Sequence, residues 1–289
     1  MEIRSHGLYR QLRTVETPQT PTIRLDGREV LNFSSNDYLG LAFDSSLKDE
    51  AIQAVAQYGV GSGASPLISG AQQPLHDLQH VIAKLKGTES ALVFNTGYAT
   101  ATGALSALFG RKDIIILDKL SHACLVDGAK MSRSKLRVCR HNDMVDLERL
   151  LQWASAEMEK RDKDERGQIC VVVESVYSMD GDVAPLKACV ELKDRFGALL
   201  FVDEAHSTGV LGKHGDGLIG SLGLTKQVEI QMGTLGKAIG CSGGFISGSK
   251  LLTDLLINKA RSLIFSTAPS PMVSASAKKG LEICCSKLG

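Results

Sequence analysis

Short runs of apolar residues alternate along the chain with longer segments whose apolar positions recur at helical spacing. Most of the apolar runs have no polar alternation, which is typical of strands that are buried on both faces. They predict strands at Ala91–Phe94, Asp113–Leu117, Leu136–Val138, Ile169–Val173, Ala198–Val202, Ile230–Met232 and Gly244–Ile246. The amphipathic segments predict helices over Leu75–Leu85, Tyr98–Leu108, Asp146–Lys160 and Pro185–Arg195. This alternation predicts an α/β fold with a mainly parallel central sheet flanked by helices.

Composition narrows the function classes. The 289 residues are 43% hydrophobic and carry a net charge of +1, which is ordinary for a globular protein and gives no electrostatic case for nucleic acid or an anionic membrane. The apolar runs are far shorter than the roughly 18 residues of a membrane span. The seven cysteines are scattered without a C-x-x-C pair. We therefore expect reduced thiols, a cytoplasmic location and no metal site.

The first chemical signal is an acidic residue directly after a buried run. Asp203 follows Ala198–Val202, and His206 comes three positions later. An ionised carboxylate in such a place costs several kcal/mol unless it has a partner. A protonated pyridine nitrogen would be a suitable one. A metal held by the Asp and His side chains is the alternative, although no further ligand cluster with metal spacing accompanies them.

The second signal is Lys237, which follows the run Ile230–Met232 within a segment of glycines and small residues. Burial near a cationic cofactor would lower the pKa of this amine and make it nucleophilic. Thr234, at the start of the same turn, can donate to a phosphate. A lysine and a buried carboxylate together predict a Schiff-base site for pyridoxal 5′-phosphate (PLP).

Other polar residues follow the remaining strands and carry weaker signals. Thr96 or Asn95 could cap the next helix, and Gly97 would let a phosphate approach the helix start, although an ordinary capped turn explains the same residues. His122 could stack on an aromatic cofactor or simply cap a helix. Ser178, beside an Asp-Gly turn, could reach a ligand or belong to a plain polar loop.

An ordered series of motifs, which spans almost the whole chain from Tyr9, resembles the α-oxoamine synthases. These fold-type I PLP enzymes condense an amino acid with an acyl thioester and release CO2. The resemblance rests on Asn32–Leu41, Gly59–Gly63, Ser69–Gly70, Leu120–Ala123, Tyr177–Asp182, Asp203–Gly209, Thr234–Lys237 and Phe265–Thr267.

The resemblance implies roles for individual residues. Catalytic roles fall to Lys237, His122, Asp203 and His206: Lys237 carries the cofactor, Asp203 faces the pyridine nitrogen, His206 lies near the ring hydroxyl and His122 stacks on the ring. Asn36 would face the substrate carboxylate, and Arg10 would contact the acyl substrate. The implied cofactor-binding residues are Thr96, Gly97, Tyr98, His122, Ser178, Asp203, His206, Thr234 and Lys237, with Ser266 and Thr267 reaching the phosphate of a partner subunit.

The resemblance also implies a homodimer with shared active sites and three regions. Residues 1–45 would form an arm that contributes to the substrate site and the dimer, and residues 46–275 the large PLP-binding domain. Residues 276–289 would begin a small C-terminal domain that continues in other members, so we expect that domain to be missing from this sequence.

The substrates are less tightly specified than the cofactor. The string Asn32–Leu41 and the segment Arg140–Asp143 favour a member that uses L-alanine and a pimeloyl thioester, carried by CoA or by a carrier protein. Two alternatives stay open. One is another member of the family, such as one that uses glycine and an acetyl thioester. The other is an inactive PLP-fold chain that serves as a dimer partner.

Overall fold

A computed structural model describes residues 2–287, whose main body is a seven-stranded sheet between layers of helices. The strands are β1 (Thr22–Leu25), β2 (Arg28–Leu31), β3 (Ser90–Phe94), β4 (Ile114–Asp118), β5 (Lys135–Cys139), β6 (Ile169–Glu174), β7 (Leu199–Asp203), β8 (Ile230–Thr234) and β9 (Gly244–Gly248). The first two pair with each other as a separate antiparallel hairpin. All seven strands predicted from the sequence are confirmed, with bounds that shift by one or two residues.

The helices are α1 (Glu2–Ser5), α2 (Ser45–Tyr58), α3 (Gln73–Lys86), α4 (Gly97–Leu108), α5 (Ala123–Ser132), α6 (Met144–Glu159), α7 (Leu186–Arg195), α8 (Gly217–Ser221), α9 (Lys250–Lys259), α10 (Arg261–Ile264) and α11 (Pro271–Lys287). Short helical turns occur at Leu41–Phe43, Pro66–Gly70 and Lys163–Glu165. Among residues 2–287, no helix combines the length and the apolar character needed to cross a membrane.

The order of strands in the main sheet is β3-β9-β8-β7-β6-β4-β5. Neighbours from β8 through β5 pair in parallel, whereas β9 runs antiparallel to both β3 and β8. Because β9 is reversed between them, β3 points the same way as β8. The carboxyl ends of β3, β4, β6, β7 and β8 therefore meet at one edge of the sheet, where ligands collect in open α/β folds.

Side chains of the central strands alternate between two apolar layers. In β4, Ile114 and Ile116 face a layer that includes Leu147 of α6, whereas Ile115 and Leu117 face a layer that includes Leu105 of α4. Each fully buried side chain of this kind contributes roughly 1.5–3 kcal/mol relative to an exposed one. Burial on both faces explains why the sequences of these central strands are largely apolar.

A third apolar layer lies over β3 and β9 and includes the last helix of the described chain. Helix α11 packs against α2 and α3, with Ala277 and Leu281 buried. The Oγ of Ser276 donates to the backbone oxygen of Leu47 at 3.1 Å. The boundary predicted at residue 275 thus falls inside one continuous helix, and residues 288 and 289 of the predicted C-terminal region lie outside the described residues.

Candidate active site

The carboxyl ends of the parallel strands border a cavity of about 160 Å³. It brings together most of the side chains that the sequence predicts for the cofactor, although they come from five different strand ends. The lining residues are Gly97, Tyr98, His122, Cys124, Glu174, Asp203, Ala205, His206, Met232, Thr234 and Lys237. The topology of the sheet places these five strand ends at one edge.

Asp203 ends β7 as a buried carboxylate, with 4% of its surface exposed. Its Oδ1 accepts a hydrogen bond from the backbone N–H of Ala205 at 2.9 Å. Burial raises the pKa of Asp203, and the opposing effects of this N–H, of Lys237 and of His122 do not cancel the rise. A carboxylate in this setting is strongly favoured by a cationic partner that enters the cavity.

Lys237 lies in the turn after β8, half-buried and in contact with His206. Its Nζ is 2.6 Å from the Nε2 of His206, and the Nδ1 of His206 is 2.7 Å from the Oη of Tyr38. The Oη of Tyr38 in turn donates to the Oδ1 of Asn36 at 3.2 Å. These four side chains form a hydrogen-bonded chain that joins the N-terminal arm to the cavity.

One tautomer satisfies every bond of this chain. If Lys237 donates to Nε2 of His206, then the Nδ1–H donates to Tyr38, and the hydroxyl of Tyr38 is free to donate to Asn36. Burial and the charges of Lys237 and His122 lower the pKa of His206 to about 4, so its ring is neutral near pH 7. Burial also lowers the pKa of Lys237, although Asp203 and Glu174 oppose the change. A larger neutral fraction makes this amine a better nucleophile.

The start of α4 forms another wall of the cavity. Thr96 caps the helix, its Oγ1 accepting from the backbone N–H of Ala99 at 3.0 Å. Gly97 and Tyr98 then present the first turn to the cavity, while the Oη of Tyr98 donates to the Oδ2 of Asp127 at 2.6 Å. Helix starts have unpaired N–H groups and a positive dipole end, which suit a phosphate.

Thr234 closes the turn opposite the start of α4. Its hydroxyl donates to the backbone oxygen of Gly243 at 3.0 Å and accepts from the N–H of Gly236 at 3.2 Å. A Cβ at Gly97 would lie 3.5 Å from the Oγ1 of Thr234, which is ordinary contact distance. The glycine therefore leaves the space between α4 and this turn to a ligand.

His122 combines the two roles that the sequence left open, since it caps α5 and also lines the cavity. Its Nδ1 accepts from the backbone N–H of Cys124 at 3.2 Å, and its backbone N–H donates to the carboxylate of Glu174. The residue is exposed, so one face of its ring is available to a planar ligand.

His141 bridges, through hydrogen bonds, the two loops that carry His122 and Ser178. Its Nδ1 is 2.8 Å from the Oδ1 of Asp118, at the start of the first loop, and its Nε2 is 2.6 Å from the Oδ2 of Asp182, at the end of the second. Burial lowers the pKa of His141, but the two carboxylates outweigh this effect and raise it overall. Through its two ring nitrogens His141 therefore links both loops.

The structure does not bring every predicted residue to the cavity. Ser178 is exposed in the turn after β6 and does not line it. Arg10 is exposed in the N-terminal arm, away from the cavities beside Lys237. Ser266 and Thr267 lie at the outer rim of β3, where the Nδ2 of Asn95 donates to the backbone oxygen of Thr267 at 2.7 Å. Their assigned roles stay predictions.

A second cavity, of about 580 Å³, adjoins Lys237 on the side of the N-terminal arm. Asn36 lines it together with Lys237, and its predicted role of facing the substrate carboxylate stays a prediction. The β1–β2 hairpin and the segment before it contribute apolar side chains to its lining, and polar residues line the rest. The apolar side chains there are Val15, Ile23, Leu25, Val30 and Leu31.

Glu174 is a site residue that the sequence reasoning did not single out. It ends β6 directly beside Asp203, with which it is paired in the parallel register. Burial and the charge of Asp203 raise its pKa to about 8, against the opposing effects of the His122 N–H and of Lys237. Its signal was the same as that of Asp203, a carboxylate directly after a buried run.

Glu174 should make the stability of the cofactor-free protein depend on pH. Because its pKa rises from 4.5 to about 8 on folding, its contribution is fully present below pH 4.5 and is lost as the pH approaches 8. The loss is at most about 1.4 kcal/mol per pH unit. Glu174→Gln should therefore lose less stability than the unaltered protein between pH 5 and 8, as measured by urea unfolding. Glu191→Gln, at an exposed position, is the control, and parallel curves for Glu174→Gln and the unaltered protein would contradict the assignment.

Comparison with known proteins agrees with this geometry. Residues 28–284 match the family model described as aminotransferase class I and II. The chain belongs to this family. A protein of Geotalea daltonii named 8-amino-7-oxononanoate synthase is 48% identical over 287 residues, and one of Geobacter sulfurreducens with the same name is 47% identical over 288 residues. The alignments cover 99% and 100% of this chain and 71% of each relative.

Solved structures of the family share the fold. A serine palmitoyltransferase variant from S. paucimobilis, bound to a PLP–myriocin aldimine, superposes with a TM-score of 0.89 at 29% identity, covering 99% of this chain and 70% of that one. An 8-amino-7-oxononanoate synthase from Francisella tularensis superposes with a TM-score of 0.73 at 30% identity, covering 87% and 68%. The fold is thus that of the fold-type I PLP-dependent transferases, as the sequence predicts, and the neighbours lie among the α-oxoamine synthases.

Proposed function

We propose that this chain is a PLP-dependent 8-amino-7-oxononanoate synthase of biotin biosynthesis. The observation that carries the proposal is the buried Asp203 carboxylate facing the same cavity as the Lys237–His206 pair, in a chain that is 47–48% identical to curated enzymes of that name along its whole length. PLP supplies the electron-withdrawing ring of this chemistry when it is bound.

The residues of the cavity fit PLP in charge and position. Asp203 would form an ion pair with the protonated pyridine nitrogen. This pairing would offset the free-energy cost of burying its carboxylate. The first turn of α4, with Gly97 and Tyr98, would hold the phosphate, and Thr234 borders the same space. The exposed ring of His122 would cover one face, and Lys237 would form the covalent link. Ser178 would reach the ring hydroxyl only if its turn moved toward His206.

In the reaction, the α-carbon of L-alanine forms a bond to the carbonyl carbon of the pimeloyl thioester. The carbon–sulfur bond breaks and the thiol leaves, while the α-carboxylate leaves as CO2. Lys237 would remove the α-proton with its Nζ before the carbon–carbon bond forms, which its lowered pKa favours, and would return a proton to the α-carbon after CO2 has left. His206 would orient that amine, because its neutral Nε2 accepts a hydrogen bond from Nζ and its other nitrogen is fixed by Tyr38.

The cavity beside the arm is the proposed place for the acyl substrate. The apolar side chains that the hairpin contributes to its lining suit a methylene chain, and Asn36 both lines this cavity and accepts a hydrogen bond from Tyr38. Residues 1–45 would then act as part of the active site, as the resemblance implies. Arg10 would join the acyl substrate only through a rearrangement of the exposed segment that carries it.

The proposal includes a homodimer. Several large apolar side chains near the site are exposed, among them Phe33 at 92%, Ile68 at 81% and Phe265 at 70%. Burying such groups between subunits would be favourable at roughly 25 cal/mol per Å². Ser266 and Thr267, beside Phe265, would then reach the phosphate held by the partner. Sedimentation of the purified chain would measure this association, and the cytoplasm, where the buried thiols stay reduced, is the proposed compartment.

A substrate comparison tests the proposed reaction. The purified chain, loaded with PLP, is mixed with L-alanine and pimeloyl-CoA or pimeloyl carrier protein, and CO2 release and the mass of the product are measured. L-Alanine should exceed glycine with acetyl-CoA and L-serine with palmitoyl-CoA by about tenfold or more in kcat/KM, since one misfit group typically costs 1–3 kcal/mol. Selective turnover of glycine or L-serine would assign another member of the family. Bound PLP without turnover would favour an inactive dimer partner.

A further inference from the structure

Lys86, the last residue of α3, lies buried against the loop that follows β7. Its Nζ is 2.8 Å from the Oε2 of Glu204, 2.9 Å from the Oγ1 of Thr208 and 2.9 Å from the backbone oxygen of Asp216. The side chains of Lys86 and Glu204 are both 0% exposed. The ammonium group has three donors, and each has an acceptor on the same loop.

The carboxylate of Glu204 is enclosed from its other side. Its Oε1 accepts from the Oγ of Ser207 at 3.1 Å and from the backbone N–H of Ile219 at 3.0 Å. Gly217 has φ +93°, and a Cβ there would lie 2.5 Å from this carboxylate. Residues 203–219 are thus wrapped around a single buried ion pair.

This ion pair is adjacent to the groups that would act on the cofactor. Glu204 stands between Asp203, which precedes it in the chain, and Ala205, whose N–H fixes the Asp203 carboxylate. His206 follows two residues later and contacts Lys237. A shift of Glu204 would therefore rotate both Asp203 and His206, although neither touches Lys86.

Stability alone does not account for such a pair. Removing two charges from water costs about as much as their attraction returns, so a buried ion pair is weak support for the free energy of folding. The pair instead fixes the position of each group that is hydrogen-bonded to Lys86 or Glu204. We infer that Lys86 is a positioning residue, which fixes the loop of residues 203–219 so that Asp203 and His206 meet the cofactor; this inference rests on the proposed function.

The chain contains a less deeply buried ion pair, usable as a control, at the opposite end of the same strands. Lys193, 5% exposed, forms an ion pair with Glu229, which directly precedes β8. The Oε2 of Glu229 also accepts from the backbone N–H of Leu200, at the start of β7. This pair bridges the amino ends of β7 and β8, whereas Lys86 and Glu204 lie at the carboxyl end.

The test compares two double variants, Lys86→Met/Glu204→Gln and Lys193→Met/Glu229→Gln. Both remove a charged pair without leaving one charge buried alone, so both should fold. In the PLP-free chain, hydrogen exchange should accelerate in peptides covering residues 203–219 for the first variant only. The first variant should also raise the Kd for PLP by about tenfold or more, as losses of orienting partners do, while the second stays within about twofold.

The outcomes separate this inference from the proposed reaction. If no acyl substrate is turned over by the unaltered chain, the proposed function fails, but hydrogen exchange and PLP affinity still decide the role of Lys86. Unchanged exchange in residues 203–219 would overturn the inference, as would equal losses of PLP affinity in the two variants. Faster exchange with an unchanged Kd would also overturn it, because the loop would then be held without consequence for the cofactor.

Discussion

Lys237→Ala should abolish the absorption band that PLP gives when it is linked to a lysine, and it should lower kcat by about 1000-fold or more. The variant removes both the covalent attachment and the base at the α-carbon, and the second of these alone typically contributes 10²–10⁴-fold. His206 cannot replace the amine, because its pKa of about 4 leaves it a weak base. Absorbance spectra and single-turnover product formation are the measurements.

Lys226→Ala is the control for this experiment, since Lys226 is exposed and does not line the cavity at Lys237. It should leave the spectrum and kcat unchanged. Persistence of the band in Lys237→Ala would mean that another amine carries PLP. The cavity lining includes no second lysine within the described residues, so that result would also place the cofactor elsewhere.

Asp203→Asn should act in opposite directions on cofactor binding and on the stability of the PLP-free protein. With PLP, the amide cannot neutralise a pyridinium, and loss of a buried charge pair costs about 3–5 kcal/mol. This corresponds to a Kd for PLP higher by roughly 100-fold or more. Without PLP, Asp203 is a buried carboxylate whose pKa is raised, so its ionised form opposes folding above pH 3.8. The amide removes this effect, and the hydrogen bond from Ala205 can remain.

Urea unfolding of the PLP-free proteins at pH 7, followed by PLP titration, tests both directions in one pair of samples. The variant should be at least as stable as the unaltered chain and should bind PLP weakly. Loss of stability together with unchanged PLP affinity would show that Asp203 supports the fold and does not face the pyridine nitrogen.

The fold was largely predictable because both faces of its central strands are apolar. The uninterrupted apolar run Ile169–Val173 predicts a strand for that reason alone. Strand–helix alternation then predicts that this strand belongs to a mainly parallel sheet. The reversed direction of β9 was not predicted, although a signal was present. Residues 235–243 separate β8 from β9, which is too short for the crossover that a parallel neighbour requires.

The site was predictable only where its signal is local. Asp203 comes directly after a predicted apolar run and Lys237 lies in the turn after another, which is why both could be identified, and Glu174 carries the same signal as Asp203. Tyr38 and Lys86 could not be found in this way. Their partners lie 168 and 118 positions away, and a lysine at the end of an amphipathic helix is expected to be solvated.

The reversed strand has a consequence for synthesis on the ribosome. Within the described sheet, β3 pairs only with β9, so residues 90–94 have no strand partner until residues 244–248 have been made. At about 5–20 residues per second, that wait lasts roughly 8–30 s. During this time the apolar segment Ala91–Phe94 has no strand partner, and unpaired apolar segments of this kind make a nascent chain prone to aggregation.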